Sequence, residues 1–306
     1  MRDVEDPRPY RDLPMPEVVE GHSRAWLATE PARRQVARPR PSATVMLLRE
    51  ASAMLLREAS AGPGVEVFVL RRAATMAFAP GMVAFPGGGV DPRDADQDVP
   101  WAGPSPLRWA ELLGTGEDVA RELVTAAARE VFEECGVLLA GPGPHEVVAD
   151  VAGPSWRQER QALLDRTQSF GELLARRGLV LRTDLMALRA HWTTPVCEPR
   201  RYDTRFFAAR MPRGQRADGE TTEAERSSWS APAEVLQHQQ VGREILLPPT
   251  QVMLEQLREV QDLDAWLAGP VAVHPVRPWP VEHDGRLWMR CPVDAAGHGV
   301  PAAVVP

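Results

Sequence analysis

The most regular pattern of apolar and polar positions lies in the middle of the chain. Its apolar positions recur every three or four residues, at Ala120, Val124, Ala127, Val131 and Cys135. This spacing places side chains on one face of an α-helix. The pattern therefore predicts an amphipathic helix that is anchored in a core and ends at Gly136, since glycine commonly terminates helices.

Other segments show strand-like or helix-like patterns. Residues 42–49 and 65–71 are rich in β-branched and apolar residues and predict strands, and a third strand is expected around Trp229. Residues 46–53 (MLLREASA) are repeated without change at 54–61. Because the repeat is too short for a solenoid unit, we expect one copy to be the native strand and the other to lengthen a hairpin.

The remaining segments suggest one main domain with additions at both ends. Helices are predicted at residues 155–177, 230–239 and 248–260, and short strands at 271–276 and 286–290. The first 40 residues are rich in Pro and Arg with little periodicity, which predicts an extended arm. The prediction is an arm (1–40), a domain (41–268) with insertions at about 92–116 and 155–177, and a C-terminal extension (269–306).

Three glutamates share a second face of the central helix. Glu130 and Glu134 lie one turn apart with Glu133 beside them, and we expect them to point outward. A solvated acidic face would explain them, because like charges at this spacing cost only about 0.2–0.5 kcal/mol when exposed. The upstream turn at residues 85–88 (FPGG) favours another reading, since its glycines let backbone carbonyls approach a cation. Mg²⁺ typically takes a few carboxylates together with water and substrate phosphates, so the combination indicates phosphate chemistry.

These two runs resemble the signature of a known family. Residues 85–88 and 129–137 (REVFEECGV) are similar to the Nudix box of the Nudix hydrolases, which ends in R-E-U-x-E-E-x-G-U with U aliphatic. The opening glycine of the box corresponds to Gly88. Its middle glutamate would fall at position 121, which holds Arg121, and a long insertion interrupts the box. Such an interrupted box resembles the branch of the peroxisomal coenzyme A diphosphatase and its bacterial relatives.

The resemblance implies a fold and a metal site. The fold would be a Nudix α/β/α sandwich with a mixed sheet, extra helical insertions and a C-terminal extension. Glu133, Glu134 and the Gly88 carbonyl would hold Mg²⁺ or Mn²⁺, and Glu130 would either complete the metal cluster or act as the base. Arg129 can reach Glu133 at i,i+4 spacing and orient it.

One further glutamate is expected from an acidic loop before Trp229, because Nudix enzymes commonly draw a metal-binding or basic glutamate from this place in the fold. Glu223 is our choice, with Glu220 and Glu225 as close rivals. A solvated loop without a catalytic role is the alternative for each of them.

The implied reaction is hydrolysis of a nucleoside diphosphate linked to another moiety. Coenzyme A-cleaving members carry an R-[SA] pair, a further arginine, a glycine and FPGG. Arg72, Ala73, Gly81 and residues 85–88 fit this motif, but the further arginine falls on Ala77. Coenzyme A or acyl-coenzyme A is the preferred substrate, giving adenosine 3′,5′-bisphosphate and a phosphopantetheine. The alternatives are an NADH or ADP-ribose diphosphatase and a nucleotide-binding regulator without turnover.

A second segment also resembles this branch. Residues 191–195 (HWTTP) and 198–207 (EPRRYDTRFF) match its W-x-T-P and P-R-R-[FY]-D-T-R-F-F runs, which imply a strand after the catalytic helix. Alternation would place Arg201, Asp203 and Arg205 on one side of that strand. The arginines could hold phosphate bidentately, or they could pair with Asp203. The candidate substrate-binding residues are Arg72, Arg200, Arg201 and Arg205.

The composition of the chain argues against several classes of protein. A chain of 306 residues with 44% hydrophobic residues can bury a full core. No apolar run approaches the ~20 residues of a membrane span, and the acidic, Pro-rich start is unlike a signal peptide, so we expect a cytosolic protein without membrane contact. A net charge of −7 argues against a general nucleic-acid binder. Three scattered cysteines predict buried thiols rather than a disulfide framework or a zinc site.

The insertions and the tail could shape either the substrate pocket or a homodimer interface.

Overall fold

The computed structural model describes residues 9–51, 64–76, 79–219 and 224–301. The strands are β1 (Arg11–Pro14), β2 (Arg40–Glu50), β3 (Val65–Arg72), β4 (Val83–Ala84), β5 (Gly87–Gly89), β6 (Trp101–Ala102), β7 (Ala140–Gly141), β8 (Val180–Arg182), β9 (Met186–Thr193), β10 (Tyr202–Arg210), β11 (Ala224–Ser230), β12 (Pro275–Val276), β13 (Trp279–His283) and β14 (Arg286–Cys291). The helices are α1 (Glu17–Ala28), α2 (Pro106–Leu113), α3 (Glu117–Cys135), α4 (Pro154–Leu164), α5 (Phe170–Arg177), α6 (Pro232–Gln240), α7 (Pro248–Arg258) and α8 (Leu263–Ala268).

The central sheet is mixed. Its strands follow the order β11-β3-β2-β10-β9-β12, with β4 added beside β3 and β5 added beside β2. The pairs β2–β10 and β9–β12 are parallel, and the others are antiparallel. Two smaller three-stranded sheets join β6, β7 and β8, and β1, β13 and β14.

Helices cover both faces of the central sheet, because its strands are apolar on both sides. Val45 and Leu47 of β2 belong to a first core that includes α2, α3 and α5. Met46 and Leu48 of the same strand belong to a second core that includes α6, α7 and the small sheet of β1, β13 and β14. The result is an α/β/α sandwich, and the predicted fold class is confirmed.

The central helix α3 follows its apolar pattern. All five predicted anchor positions, Ala120 to Cys135, are fully buried in the first core. Gly136 ends the helix in the left-handed conformation (φ 64°), and its N–H donates to the carbonyl of Phe132. The predicted helix and its stop are therefore confirmed.

Most other predicted elements are also present. The strands expected at 42–49 and 65–71 are β2 and β3, and the helices expected at 230–239 and 248–260 are α6 and α7. The segment 155–177 contains two helices, α4 and α5. The second copy of the repeat, at 54–61, lies outside the described residues.

The first and last strands of the described chain pair with each other. Residues 9–40 were expected to be extended, but they include α1, and β1 pairs antiparallel with β14. Val19 and Leu27 pack against the second core, which stabilises α1 despite the Pro-rich flanks. The boundaries at residues 40 and 268 stay predictions. No helix within the described ranges is long and apolar enough to cross a bilayer.

Candidate active site

The three glutamates of α3 lie beneath neighbouring segments rather than in solvent. Glu130 and Glu133 are each 8% exposed and Glu134 is 4% exposed. The expectation that they point outward was wrong, because α3 packs against β5 and against a 3-10 helix at Pro92–Ala95. Burial also excludes the reading of a solvated acidic face.

The double-glycine turn contacts two of these carboxylates directly. The N–H of Gly87 donates to Oε2 of Glu134 at 2.9 Å. Gly88 lies so close to Glu130 that a Cβ at this position would be 2.5 Å from Oε1 of Glu130. Glycine is therefore required at position 88 for this arrangement of Glu130.

Arg129 joins Glu130 to Glu133 through one guanidinium nitrogen. Its Nη1 donates to Oε1 of Glu130 at 2.8 Å and to Oε2 of Glu133 at 3.0 Å. Its Nη2 donates to the Gly89 carbonyl at 3.1 Å. The expected contact between Arg129 and Glu133 is confirmed.

Asp94 is the partner of Arg129 that the sequence analysis missed. Oδ1 of Asp94 accepts from Nε of Arg129 at 2.8 Å and Oδ2 accepts from Nη2 at 2.9 Å, a bidentate ion pair. Asp94 is fully buried. The run Asp91-Pro-Arg-Asp94 is a recognisable N-terminal capping sequence for a short helix. No local rule, however, connects it to an arginine 35 residues downstream.

The charges around Arg129 do not balance, since Asp94, Glu130 and Glu133 share its single guanidinium group. Burial raises the pKa of Glu130 to about 7, with Arg129 opposing and the charges of Glu133 and Asp94 adding to the rise. Burial also raises the pKa of Glu133, although Arg129 opposes it. Burial alone would lower the pKa of Arg129, but the hydrogen bonds that it donates to Asp94 and the neighbouring negative charges raise it. The excess of negative charge favours a bound cation, because two charges 4 Å apart interact by about 4 kcal/mol at an effective dielectric of 20.

The cluster fits a hard divalent cation in its chemistry. Oε1 of Glu133 is buried and has no hydrogen-bond partner in the described part of the chain. The donors are carboxylate and carbonyl oxygens, which Mg²⁺ and Mn²⁺ prefer. Among the described residues, no three acidic, histidine or cysteine side chains converge closely enough to enclose a metal. Water and substrate oxygens ordinarily complete such a site.

Position 121 does not contribute a carboxylate to the site. The Arg121 guanidinium stacks on the ring of Trp101, 5.4 Å from its centroid. Trp101 belongs to β6, within the insertion that interrupts the box. The departure from the family pattern at this position therefore goes together with the insertion.

A second charged cluster lies on the same side of the sheet. Asp203 on β10 accepts from Nη1 of Arg205 at 2.8 Å and from Oγ1 of Thr193 at 2.8 Å, and it lies 2.7 Å from Nε2 of His191. Arg205 is opposite Ala43 on β2, which is opposite Gly88 on β5. The backbones of Arg205 and Gly88 are thus two strands apart, or about 10 Å.

The four candidate arginines are not equivalent. Arg201 donates to the carbonyls of Thr194 and Ala37, and Arg205 is paired with Asp203, as in the alternative considered above. Arg200 is exposed before β10, and Arg72 lies at the end of β3. The structure therefore does not gather the four guanidinium groups into one phosphate site.

The acidic loop is anchored next to α3. The Asp218 N–H donates to the Cys135 carbonyl, and Arg160 joins Oδ1 of Asp218 to the Glu133 carbonyl at 2.6 and 2.8 Å. Glu225 is exposed and accepts from the N–H of Ala74 at 3.0 Å. The other two candidate glutamates, 220 and 223, lie outside the described residues.

Comparisons with known proteins agree with the family resemblance seen in the sequence. A family model described as the NUDT19 Nudix domain matches residues 111–258. The crystal structure of a Nudix hydrolase from Alicyclobacillus acidocaldarius superposes with a TM-score of 0.61 at 26% identity, covering 77% of this chain and all of that one. The chain is thus similar to Nudix hydrolases in both sequence and fold, and the resemblance seen in its sequence is confirmed.

Curated relatives of this chain include two animal proteins. It is 27% identical over 220 residues to the putative nudix hydrolase 7 of Caenorhabditis elegans, covering 72% of this chain and 65% of the relative. It is 29% identical over 225 residues to the human acyl-coenzyme A diphosphatase NUDT19, covering 61% of this chain and 59% of the relative. The chain spans less than two thirds of the length of either relative.

Proposed function

We propose that this chain is a Nudix hydrolase that cleaves the diphosphate bond of a nucleoside diphosphate linked to another moiety. Coenzyme A or an acyl-coenzyme A is the preferred substrate, and adenosine 3′,5′-bisphosphate and a phosphopantetheine are the products. The observation that carries the proposal is the buried carboxylate cluster of Glu130, Glu133 and Glu134, held by Arg129 against the double-glycine turn. Similarity to relatives named acyl-coenzyme A diphosphatase supports the choice of substrate.

Residues of the cluster would hold Mg²⁺ or Mn²⁺. Glu133 and Glu134, with the Gly88 carbonyl, are the proposed ligands, and Glu130 completes the set or accepts the proton of the attacking water. When bound, the ion neutralises charge on the diphosphate oxygens and activates water for in-line attack. Arg129 keeps two carboxylates oriented toward this position, and their burial limits competition from bulk water.

Two further groups of residues are proposed to act on the substrate. Glu223 is the proposed additional metal-binding or basic glutamate, with Glu225 as its rival on the described side of the loop. Arg72 and Arg200 are proposed contacts of the substrate phosphates. Arg205, about 10 Å from Gly88 across the sheet, is a candidate for a more distant phosphate.

A substrate panel tests the proposal. Coenzyme A, dephospho-coenzyme A, NADH and ADP-ribose would be incubated with the protein and Mg²⁺, and the products identified by mass spectrometry. We expect two phosphate-bearing products, with coenzyme A turned over best because it alone of the four offers a 3′-phosphate. Preference for NADH or ADP-ribose would favour the alternative substrates.

Two isosteric variants test the residues assigned to the metal. Glu133→Gln and Glu134→Gln remove one negative charge each without a change in shape. We expect both to lose most of the turnover, whereas Glu117→Gln, an exposed glutamate at the start of α3, should retain it. Full activity in both cluster variants would refute the proposed roles.

A further inference from the structure

Arg205 and Asp203 of β10 project from the face of the sheet that α3 covers. Phe207, two residues after Arg205, lies in the first core together with α3. Because side chains alternate along a strand, Arg205 and Asp203 point to the same side. His191 on β9 lies opposite Arg205 and shares this face. The second charged cluster is therefore a neighbour of the candidate metal site on one side of the sheet.

One nitrogen of the Arg205 guanidinium is held within this cluster. Nη1 of Arg205 donates to Oδ2 of Asp203 at 2.8 Å, and the arginine side chain is only 8% exposed. Asp203 is fixed in turn by Thr193, whose hydroxyl donates to Oδ1 at 2.8 Å. Since the guanidinium is planar and rigid, the ion pair with Asp203 also fixes the direction of Nε and Nη2.

The edge of Arg205 formed by Nε and Nη2 has no acceptor. Nε is buried without a hydrogen-bond partner in the described part of the chain, and Nη2 donates to none of the residues there. Buried donors are nearly always hydrogen-bonded in native structures. This edge of Arg205 therefore points to an acceptor that the described residues do not supply.

Two other arginines show what this edge binds in the same protein. Nε and Nη2 of Arg182 donate to the two oxygens of Asp184 at 2.8 and 2.7 Å. The same two nitrogens of Arg290 donate to the two oxygens of Asp12, also at 2.8 and 2.7 Å. Their parallel N–H groups match the oxygens of a carboxylate or a phosphate. This geometry fits Arg205 to an oxyanion of the substrate.

The distance from Arg205 to the metal site indicates which oxyanion fits. Arg205 is opposite Ala43 on β2, and Ala43 is opposite Gly88, so the backbones of Arg205 and Gly88 are about 10 Å apart. In the proposed function the scissile diphosphate lies at Gly88 and the glutamates. A phosphate on the far side of the adjoining ribose would then lie toward Arg205. The 3′-phosphate of coenzyme A is such a group.

We propose that Arg205 determines specificity for a phosphate monoester on the substrate, the 3′-phosphate of a coenzyme A-type nucleotide. Nε and Nη2 donate to two oxygens of this phosphate, while Asp203 holds the guanidinium at Nη1. The inference rests on the proposed function and deepens it, because it assigns a residue to the one group that distinguishes coenzyme A from dephospho-coenzyme A. Binding of the phosphate can be measured without turnover.

Calorimetry with two nucleotide probes tests this assignment without hydrolysis. Adenosine 3′,5′-bisphosphate carries the 3′-phosphate, and AMP lacks it. We expect the wild type to bind the bisphosphate about 10- to 100-fold more tightly, the value of a hydrogen bond to a charged group. Equal affinities of the wild type for the two probes would overturn the inference without any variant.

Two variants test whether the preference comes from Arg205. Arg205→Gln removes the charge and should reduce the affinity ratio of the two probes to about one. Arg205→Lys keeps a positive charge beside Asp203 but loses the two parallel N–H groups, so it should retain only part of the preference. Circular dichroism would establish that each variant is folded. A wild-type ratio in either folded variant would contradict the assignment.

The matched control is an arginine on the opposite side of the sheet. Arg258 of α7 is half exposed, and α7 packs in the second core. Arg258→Gln removes the same charge as Arg205→Gln and should leave the affinity ratio within about twofold of the wild type. A loss of preference in this control would assign the effect to overall charge rather than to Arg205.

Turnover provides a second measurement. The ratio of kcat/KM for coenzyme A to that for dephospho-coenzyme A should fall about 10- to 100-fold in Arg205→Gln. If the wild type hydrolyses none of the diphosphates, the proposed function fails, while the two nucleotide probes still decide the role of Arg205. If it hydrolyses coenzyme A and dephospho-coenzyme A equally well, the inference fails and diphosphate hydrolysis stands.

Discussion

The two charged clusters on the same side of the sheet differ in their balance of charge. At the first, one arginine, Arg129, is shared by Asp94 and two glutamates, with Glu134 beside them. At the second, a single carboxylate, Asp203, accepts hydrogen bonds from Arg205 and Thr193 and lies within hydrogen-bond distance of His191. The first cluster has unmatched negative charge, whereas the second satisfies its acid completely.

The pKa shifts of the two clusters run in opposite directions for this reason. Burial raises the pKa of Glu130 to about 7, because Arg129 cannot offset both burial and the neighbouring acids. Burial would also raise the pKa of Asp203, but hydrogen bonds from His191 and Arg205 more than offset it and lower the pKa. A buried acid that is poorly neutralised, such as Glu130, indicates a missing cation, whereas a half-buried acid that is fully paired, such as Asp203, indicates a structural role.

Adding a methyl group beside the first cluster should cause the largest loss of activity. Gly88→Ala places a methyl group 2.5 Å from Oε1 of Glu130, so the carboxylate must move. We expect kcat on the preferred substrate to fall about 100-fold, the cost of a displacement of about 1 Å in a catalytic site. Gly89→Ala is the matched control, because a Cβ at Gly89 would meet no atom within 4 Å. Equal activities of the two variants would contradict the importance of this contact.

Removing the acid of the second cluster should cost stability. Asp203→Asn leaves the buried guanidinium of Arg205 without its counter-ion. We expect a loss of about 2 kcal/mol in the free energy of unfolding, typical of a hydrogen bond to a charged group. Mn²⁺ affinity should stay within about twofold of the wild type. A large drop in Mn²⁺ affinity would show that the two clusters are coupled.

The difference in stability between the wild type and Asp203→Asn should depend on pH. Because the folded-state pKa of Asp203 lies below its ordinary value, its stabilising contribution is fully present above the unfolded pKa of about 3.9. It is lost as the pH falls from there through the folded pKa. Urea unfolding between pH 6 and pH 3 should show the advantage of the wild type over Asp203→Asn shrinking only at the acidic end. An advantage that is constant over this range would argue against the ion pair as its source.

Neutralising an acid of the first cluster should raise the free energy of unfolding rather than lower it. Glu133→Gln removes a charge that burial disfavours, since burial raises the pKa of Glu133 although Arg129 opposes the rise. With metal removed by EDTA, we expect the free energy of unfolding to rise. Thermal unfolding in EDTA measures it. A loss of stability would mean that Arg129 already balances the cluster.

An exposed ion pair provides the smallest effect and a baseline. Arg108 and Glu111 on α2 pair at 2.6 Å, but their side chains are 59% and 58% exposed. Arg108→Ala should change the free energy of unfolding by less than about 0.5 kcal/mol, because solvent screens such pairs. A larger change in the same urea experiments would show that the changes in the free energy of unfolding expected for the two clusters are too small.

The candidate site could be predicted from the sequence only where its contacts are local. The pair Arg129 and Glu133 follows from helical spacing, and the closeness of Gly88 to the glutamates followed from the family pattern. Asp94 could not be predicted, because its partner is 35 residues away across an insertion of irregular structure. The sequence left open whether Arg205 pairs with Asp203, and the structure shows this ion pair.

What the sequence determined by itself was local: the course of α3, its stop at Gly136, and the presence of three acids on one stretch of its surface. These follow from helix geometry and from the conformational freedom of glycine. Only the tertiary structure decided that the acids are buried, that Asp94 holds Arg129, and that Asp203 neutralises Arg205. Burial and ion pairing depend on which distant segments cover a surface, and no local periodicity carries that information.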